Sequence, residues 1–92
     1  MHLDPSRRKV IVRGQNVSCS KQEFDLLYVL AASPGIVFSR EELVTRYWPG
    51  GGGKDVRLVD PIVSRLRRKI ERQPDSPQMI LTVWGIGYKF AE

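Results

Sequence analysis

Apolar residues along the 92-residue chain change their period in a way that marks out its elements. Lys9-Val10-Ile11-Val12-Arg13 is a β-branched run, Gly14-Gln15-Asn16 reads as a turn, and Val17-Ser18-Cys19 as a return strand, predicting an antiparallel hairpin. At Ser20 the period turns helical. Ser20-Lys21-Gln22-Glu23 is a capping box, in which the serine oxygen and the Glu23 carboxylate each satisfy an orphan N–H. Phe24, Leu27, Leu30 and Ala31 then recur at helical spacing as one inward stripe, and Ser33-Pro34-Gly35 stops the helix. Ile36-Val37-Phe38 is too short for a helix and predicts a brief strand. A second capping box, Ser39-Arg40-Glu41-Glu42, opens another helix with Leu43, Val44 and Tyr47 inward and Trp48 as a further candidate.

Pro49-Gly50-Gly51-Gly52-Gly53-Lys54 predicts a loop, because four consecutive glycines bury nothing and lose the most backbone entropy on ordering. Glycine loops can cradle phosphate, but the P-loop spacing is absent and no strand leads into this one within a βαβ unit, which argues against nucleotide binding. Residues 56–72 then carry Val56, Val59, Val63, Leu66 and Ile70 along one stripe of a helix. At about 100° per residue the opposite face collects Arg57, Pro61, Ser64, Arg65, Arg68 and Arg72. Pro61 is tolerated only in a first turn. Either Asp60 is the N-cap with Pro61 in the first helical position, or the helix begins near residues 55–57 with a distorted first turn. Residues 73–77, with two prolines, end the helix. Met79-Ile80-Leu81-Thr82-Val83 reads as a strand, Trp84-Gly85-Ile86-Gly87 as a tight turn and Tyr88-Lys89-Phe90 as the partner strand.

Composition narrows what this order of elements can do. Two-fifths of the residues are apolar, enough for one modest core, so residues 1–92 are expected to form one compact domain. No apolar run approaches the roughly 18 residues of a membrane span, and no basic stretch followed by an apolar block suggests a secretory leader. The chain passes almost at once from Met1-His2 into patterned sequence, as an excised domain would. Cys19 is the only cysteine and His2 the only histidine. No internal disulfide is available, Cys19 reads as a small buried hydrophobe, and no catalytic, cofactor or metal site is expected. A reducing, cytoplasmic setting fits.

The net charge of +5 is unevenly spread. Residues 57–72 carry a net of +4 and residues 1–20 a net of +3, whereas residues 21–47 are slightly acidic. Charge concentrated on one helix and one flank is the footprint of a phosphate-backbone binder. The last two helices and the final hairpin form a helix–turn–helix followed by a wing. A helix fits the roughly 12 Å major groove of duplex DNA while a hairpin tip reaches the minor groove or backbone. The expected fold is α+β, a winged helix with an N-terminal antiparallel sheet, three helices and a C-terminal hairpin wing. One rival is a winged helix whose arginines meet an acidic protein. Another is RNA binding, disfavoured because no aromatic platform lies on a sheet.

At these same residues the chain resembles a family. Leu3-Asp4 with Arg8 and Val10, Ser20-x-x-Glu23-Phe24-x-Leu26-Leu27, Pro34-Gly35-x-Val37-x-Ser39-Arg40-Glu41, Val59-Asp60, residues 65–71 and Thr82-Val83-Trp84-Gly85-x-Gly87-Tyr88 look like the C-terminal effector domain of OmpR/PhoB-type response regulators. The resemblance implies a bacterial two-component transcription factor whose receiver domain, phosphorylated by a histidine kinase, is absent from this chain. It implies tandem dimers on direct-repeat half-sites of double-stranded DNA, and a loop, here Pro49 to Lys54, that touches RNA polymerase. Carried over residue by residue, it points to Arg57, Ser64, Arg65, Arg67 and Arg68 for phosphate and base contacts, with Trp48, Thr82 and Tyr88 at backbone-contacting positions. Pairing of Arg67 with Asp60 or Glu71 is the rival for that residue. Two departures stand out. Ile62 replaces a common histidine and follows Pro61, and Trp84 occupies a wing position that is often a minor-groove arginine. Trp84 therefore either packs on the sugar–phosphate backbone or covers the hairpin.

Overall fold

A computed structural model describes residues 1–46 and 55–92, the side chain of Arg46 apart. The expectations for Tyr47, Trp48 and the loop from Pro49 to Lys54 lie outside the described residues.

The N-terminal hairpin is one half of a three-stranded antiparallel meander, β1 (His2–Asp4), β2 (Lys9–Val12) and β3 (Gln15–Val17). Its second turn is tighter than the sequence suggested. Val12 pairs with Gln15, leaving Arg13 and Gly14 as the two central residues with φ of 50° and 77°. Positive φ at both positions is the two-residue hairpin geometry that matches strand twist. Arg-Gly lacks the Asn-Gly signature of such turns, so Gln15 and Asn16 read as loop although they are strand, and the return strand ends at Val17 instead of Cys19. Cys19 is half-buried against the core.

Helix α1 (Lys21–Ala32) starts on the predicted capping box, Glu23 N–H to Ser20 Oγ at 3.1 Å and Ser20 N–H to Glu23 Oε1 at 2.9 Å. Phe24, Leu27 and Leu30 are buried, joined by Leu26, while Ala31 is half-buried. The brief strand β4 is Phe38–Ser39, shifted from 36–38 because Phe38 pairs with Tyr88 of the last hairpin and Ile36 stays exposed. The second capping box opens α2 (Arg40–Arg46), with Ser39 and Glu42 exchanging backbone bonds of 3.0 Å. Leu43 and Val44 are buried, as expected.

The basic segment is two elements. Asp55 caps a 3₁₀ turn (Val56–Leu58), and α3 follows at Val59–Ile70. Of the two sequence alternatives the distorted first turn is the one adopted, with Pro61 third in α3, where no interior hydrogen bond is lost. The 3₁₀ turn holds three residues per turn, which shifts the phase of the stripe. Val56 is accordingly exposed, against expectation, and Ile62 is buried beside Val59, Val63, Leu66 and Ile70. Each of these buried aliphatics contributes about 1.5–3 kcal/mol of transfer free energy. The helix ends at Ile70 and not at Arg72 because Glu71 turns extended (φ −82°, ψ 142°). Its buried carboxylate accepts the N–H groups of Gln78, Met79 and Ile80, which brings the chain back alongside α3.

Strands β5 (Ile80–Val83) and β6 (Gly87–Phe90) form the closing hairpin, and the second sheet runs β4-β6-β5. At Gly87 an added Cβ would lie 2.1 Å from the Phe38 carbonyl oxygen, so β4 and β6 meet only over a glycine. One core joins β2 to all three helices, Phe38, Ile80 and Tyr88. The arrangement is the expected winged helix–turn–helix.

Candidate nucleic-acid interface

The outward face of α3 is centred on Ser64 and Arg68, both exposed, with Arg68 Nη2 donating to Ser64 Oγ at 3.2 Å. Arg57 projects from the 3₁₀ turn with 88% of its side chain exposed, its guanidinium forked onto the Asp55 carboxylate at 3.0 and 3.2 Å. That hydrogen-bonded pair holds the Asp55 carboxyl below its ordinary range and raises Arg57. Arg72 is exposed just past the helix end.

The edge of α3 that faces α1 carries Arg65 and Lys69, one turn apart. Both reach the same carboxylate. Arg65 Nε lies 3.2 Å from Glu23 Oε2 and Lys69 Nζ 2.6 Å from Glu23 Oε1. The Glu23 side chain is 4% exposed, those of Arg65 and Lys69 49% and 36%. Burial alone would favour a neutral Glu23. The hydrogen bonds from Lys69, the Ser20 N–H and Arg65 outweigh it and hold the carboxyl below its usual range.

The opposite edge faces the wing. Arg67 pairs with neither Asp60 nor Glu71. It donates through Nε and Nη2 to the Ile80 carbonyl (3.2 and 2.8 Å) and through Nη2 to Thr82 Oγ1 (2.8 Å). Tyr88 is buried, and the guanidinium carbons of Arg40 and Arg67 both lie over its ring, 5.0 and 5.5 Å from its centroid. Its hydroxyl donates to Asp60 Oδ1 at 2.6 Å, the oxygen that also accepts Arg40 Nε at 2.7 Å. Burial and the bond to Asp60 raise the Tyr88 phenol. For Asp60, burial opposes ionisation, but the bonds from Tyr88 and Arg40 prevail and lower its carboxyl.

At the wing tip Trp84 is 88% exposed and Ile86 is also exposed, so Trp84 does not cover the hairpin. Arg7 and Arg8 lie near Asp4 and Asp25, and Arg13 Nη1 donates to the Ile70 carbonyl that ends α3.

Of the residues singled out from sequence, Arg57, Ser64, Arg65, Arg68 and Trp84 thus open to solvent. Arg67, Thr82 and Tyr88 are instead linked to one another and, through Tyr88, to Asp60. Sequence reasoning missed Arg40, whose partner lies 20 positions away with no local spacing to signal it. It also saw Glu23 only as a cap, although a four-residue Arg65–Lys69 repeat is the pattern a shared carboxylate would recognise.

The fold and this face together define a winged helix with a groove-sized basic helix beside its wing. Residues 14–90 match the family described as "Transcriptional regulatory protein, C terminal", and the chain belongs to that family. It is 43% identical over 89 residues to the DNA-binding response regulator MtrA of Mycolicibacterium smegmatis, covering 97% of this chain and 39% of that protein. To the transcriptional regulatory protein ResD of Bacillus subtilis it is 40% identical over 91 residues, covering 98% of this chain and 38% of that protein. The chain therefore spans about two-fifths of the length of these curated relatives. Among solved structures it resembles the response regulator DrrB of Thermotoga maritima, an OmpR/PhoB homolog, with a TM-score of 0.85 and 34% identity over 98% of this chain and 41% of that one. The DNA-binding domain of Klebsiella pneumoniae RstA, in complex with the RstA box, gives a TM-score of 0.82 and 38% identity over 97% and 88%.

Proposed function

We propose that the chain is a sequence-specific double-stranded DNA-binding effector domain of an OmpR/PhoB-type response regulator and that it acts in transcription control. The observation that carries this reading is the exposed cationic face of α3, Arg65 and Arg68 around Ser64, extended by Arg57 on the preceding 3₁₀ turn and followed by a wing with a solvent-facing tip. Arginine can fork onto a phosphate or onto a guanine edge, so one helix face can both bind and read DNA. In this reading α3 enters the major groove and the wing, with Trp84, meets the minor groove or backbone. Arg67, Thr82 and Tyr88 set the wing's position relative to the helix. The RstA domain described in complex with its box, 38% identical, supports the same assignment.

In the whole protein a receiver domain phosphorylated by a histidine kinase controls this domain in the cytoplasm. Two copies bind direct-repeat half-sites in tandem, Trp48 touches the DNA backbone, and the loop from Pro49 to Lys54 contacts RNA polymerase. These assignments rest on the family resemblance. Salt titration of binding to duplex DNA tests the core of the reading. Several phosphate contacts predict a steep linear fall of log affinity with log salt. Absence of duplex binding at low salt overturns it and leaves the arginine face to an acidic protein partner.

A further inference from the structure

Glu23 does more than its place in the capping box requires. A cap needs one carboxylate oxygen on the Ser20 N–H, and Oε1 provides it. Oε2 is left for Arg65, and Oε1 also takes Lys69. A buried carboxylate thus joins the start of α1 to two cations on one edge of α3, 42 and 46 positions further on. Arg65 spends only its Nε on this bond. Among the described residues its Nη1 and Nη2 make no hydrogen bond within the protein, and half of its side chain faces solvent. An arginine side chain free in water loses rotamer entropy when it docks on a ligand. One already held through Nε loses less and presents its remaining nitrogens in a fixed direction.

We propose that Glu23 is a positioning residue for sequence recognition, holding Arg65 by Nε so that its two terminal nitrogens are presented in a fixed plane to a base edge. The inference deepens the DNA-binding reading and rests on it. Neutralising Glu23 then has opposite effects on two kinds of binding. Removing a negative charge beside the cationic face strengthens sequence-independent attraction to phosphate. Releasing Arg65 weakens discrimination.

The experiment uses a duplex selected from random DNA by the wild-type chain, a shuffled duplex of the same composition, and a double-mutant cycle. Glu23→Gln keeps an oxygen for the Ser20 N–H, since glutamine also serves in a capping box. Its affinity for the selected duplex is expected to fall roughly fivefold, within the range of pairwise couplings, while its affinity for the shuffled duplex rises. Arg65→Ala loses preference as well, and adding Glu23→Gln to it costs no further preference. A purely structural Glu23 predicts that the two losses multiply, or that Glu23→Gln keeps wild-type preference. Either result overturns the proposal. Arg65→Lys tests the same idea with Glu23 intact: it keeps the charge and can still reach Glu23 but has no second nitrogen to present. Its preference should fall with an unchanged salt slope, and wild-type preference in this variant also overturns the proposal. If the wild-type chain binds no duplex at all, the DNA-binding reading fails with it, whereas duplex binding with multiplicative losses sinks the positioning role alone.

Discussion

The two edges of α3 carry the same chemistry, arginine and lysine, and use it differently. Toward α1, Arg65 and Lys69 share one buried carboxylate and stay substantially exposed. Toward the wing, Arg67 is half-buried and bonds to a backbone carbonyl and a hydroxyl, stacked on a buried tyrosine ring. One edge is held by charge and leaves donors facing water. The other is held by backbone and spends them. A cation count over residues 57–72 treats these edges as equal, so it overstates the surface available to an anionic partner. What each neighbour offers, carboxylate or carbonyl, decides which arginine is left over.

The wing edge should be the more brittle of the two, and Gly87 is where it breaks most easily. An alanine Cβ there would meet the Phe38 carbonyl at 2.1 Å and Ser39 Cα at 2.9 Å, both backbone atoms that cannot swing aside. Gly87→Ala is expected to cost about 3 kcal/mol, the upper end of overpacking penalties, read as a lowered urea midpoint. A wild-type midpoint would mean that β4 and β6 can separate freely and that the wing is not fixed to the body as described.

Adjacent arginines sharpen the contrast. Arg67→Ala removes three hydrogen bonds and the guanidinium contact with the Tyr88 ring, and should cost about 2 kcal/mol of stability. Arg68→Ala removes only an exposed bond to Ser64, so its stability should change by less than about 0.5 kcal/mol. In the DNA-binding reading the order reverses for direct contact, Arg68→Ala costing about 1–3 kcal/mol of duplex affinity. Thermal melts and duplex titrations on both variants test the pair. A destabilised Arg68→Ala beside a wild-type-like Arg67→Ala would invert the assignment.

Much of this was legible in the sequence because it is local. Both capping boxes, the buried stripe of α1 and the closing hairpin are written within a few residues of one another; the boxes form as read, while Leu26 joins the stripe in which Ala31 is only half-buried, β5 starts at Ile80 and Gly87 belongs to β6 and not to the turn. The face of α3 was legible from its middle onward, where one period holds. Its start was not, because Asp55 stabilises a 3₁₀ turn whose three-residue period puts Val56 outside and, together with Pro61, hides the true first residue of α3. Arg67, Asp60, Arg40 and Tyr88 were opaque for another reason. Their partners come from α2, α3, β5 and β6, and no spacing along the chain announces an arginine that will meet a carbonyl 13 residues later.

Acid should separate the edges next. Glu23 and Asp60 both ionise below the ordinary carboxylate range in the folded chain, so the folded state binds protons less readily than the unfolded one. Their contribution is fully present above the unfolded values, and it is lost as pH falls from about 5 through the lowered native values. Glu23 lies almost wholly out of water, whereas 55% of the Asp60 side chain is exposed and screened. Glu23→Gln should therefore flatten the acid limb of a stability–pH curve more than Asp60→Asn does. Equal flattening would mean that the α1 edge owes little to its charge.

The smallest effect on stability is expected at the wing tip, which completes the contrast with the wing's base. Trp84 is 88% exposed and buries almost no area, so Trp84→Ala should leave the urea midpoint within about 0.5 kcal/mol of wild type. A large exposed indole that adds nothing to folding is free to contribute at a contact. On duplex DNA the variant should bind more weakly with the salt slope unchanged, because the lost contact releases no counterion. A changed slope would place Trp84 among groups that control phosphate contacts indirectly. A lowered urea midpoint would show that the indole covers the hairpin after all, removing the difference between a wing fixed at its base and open at its tip.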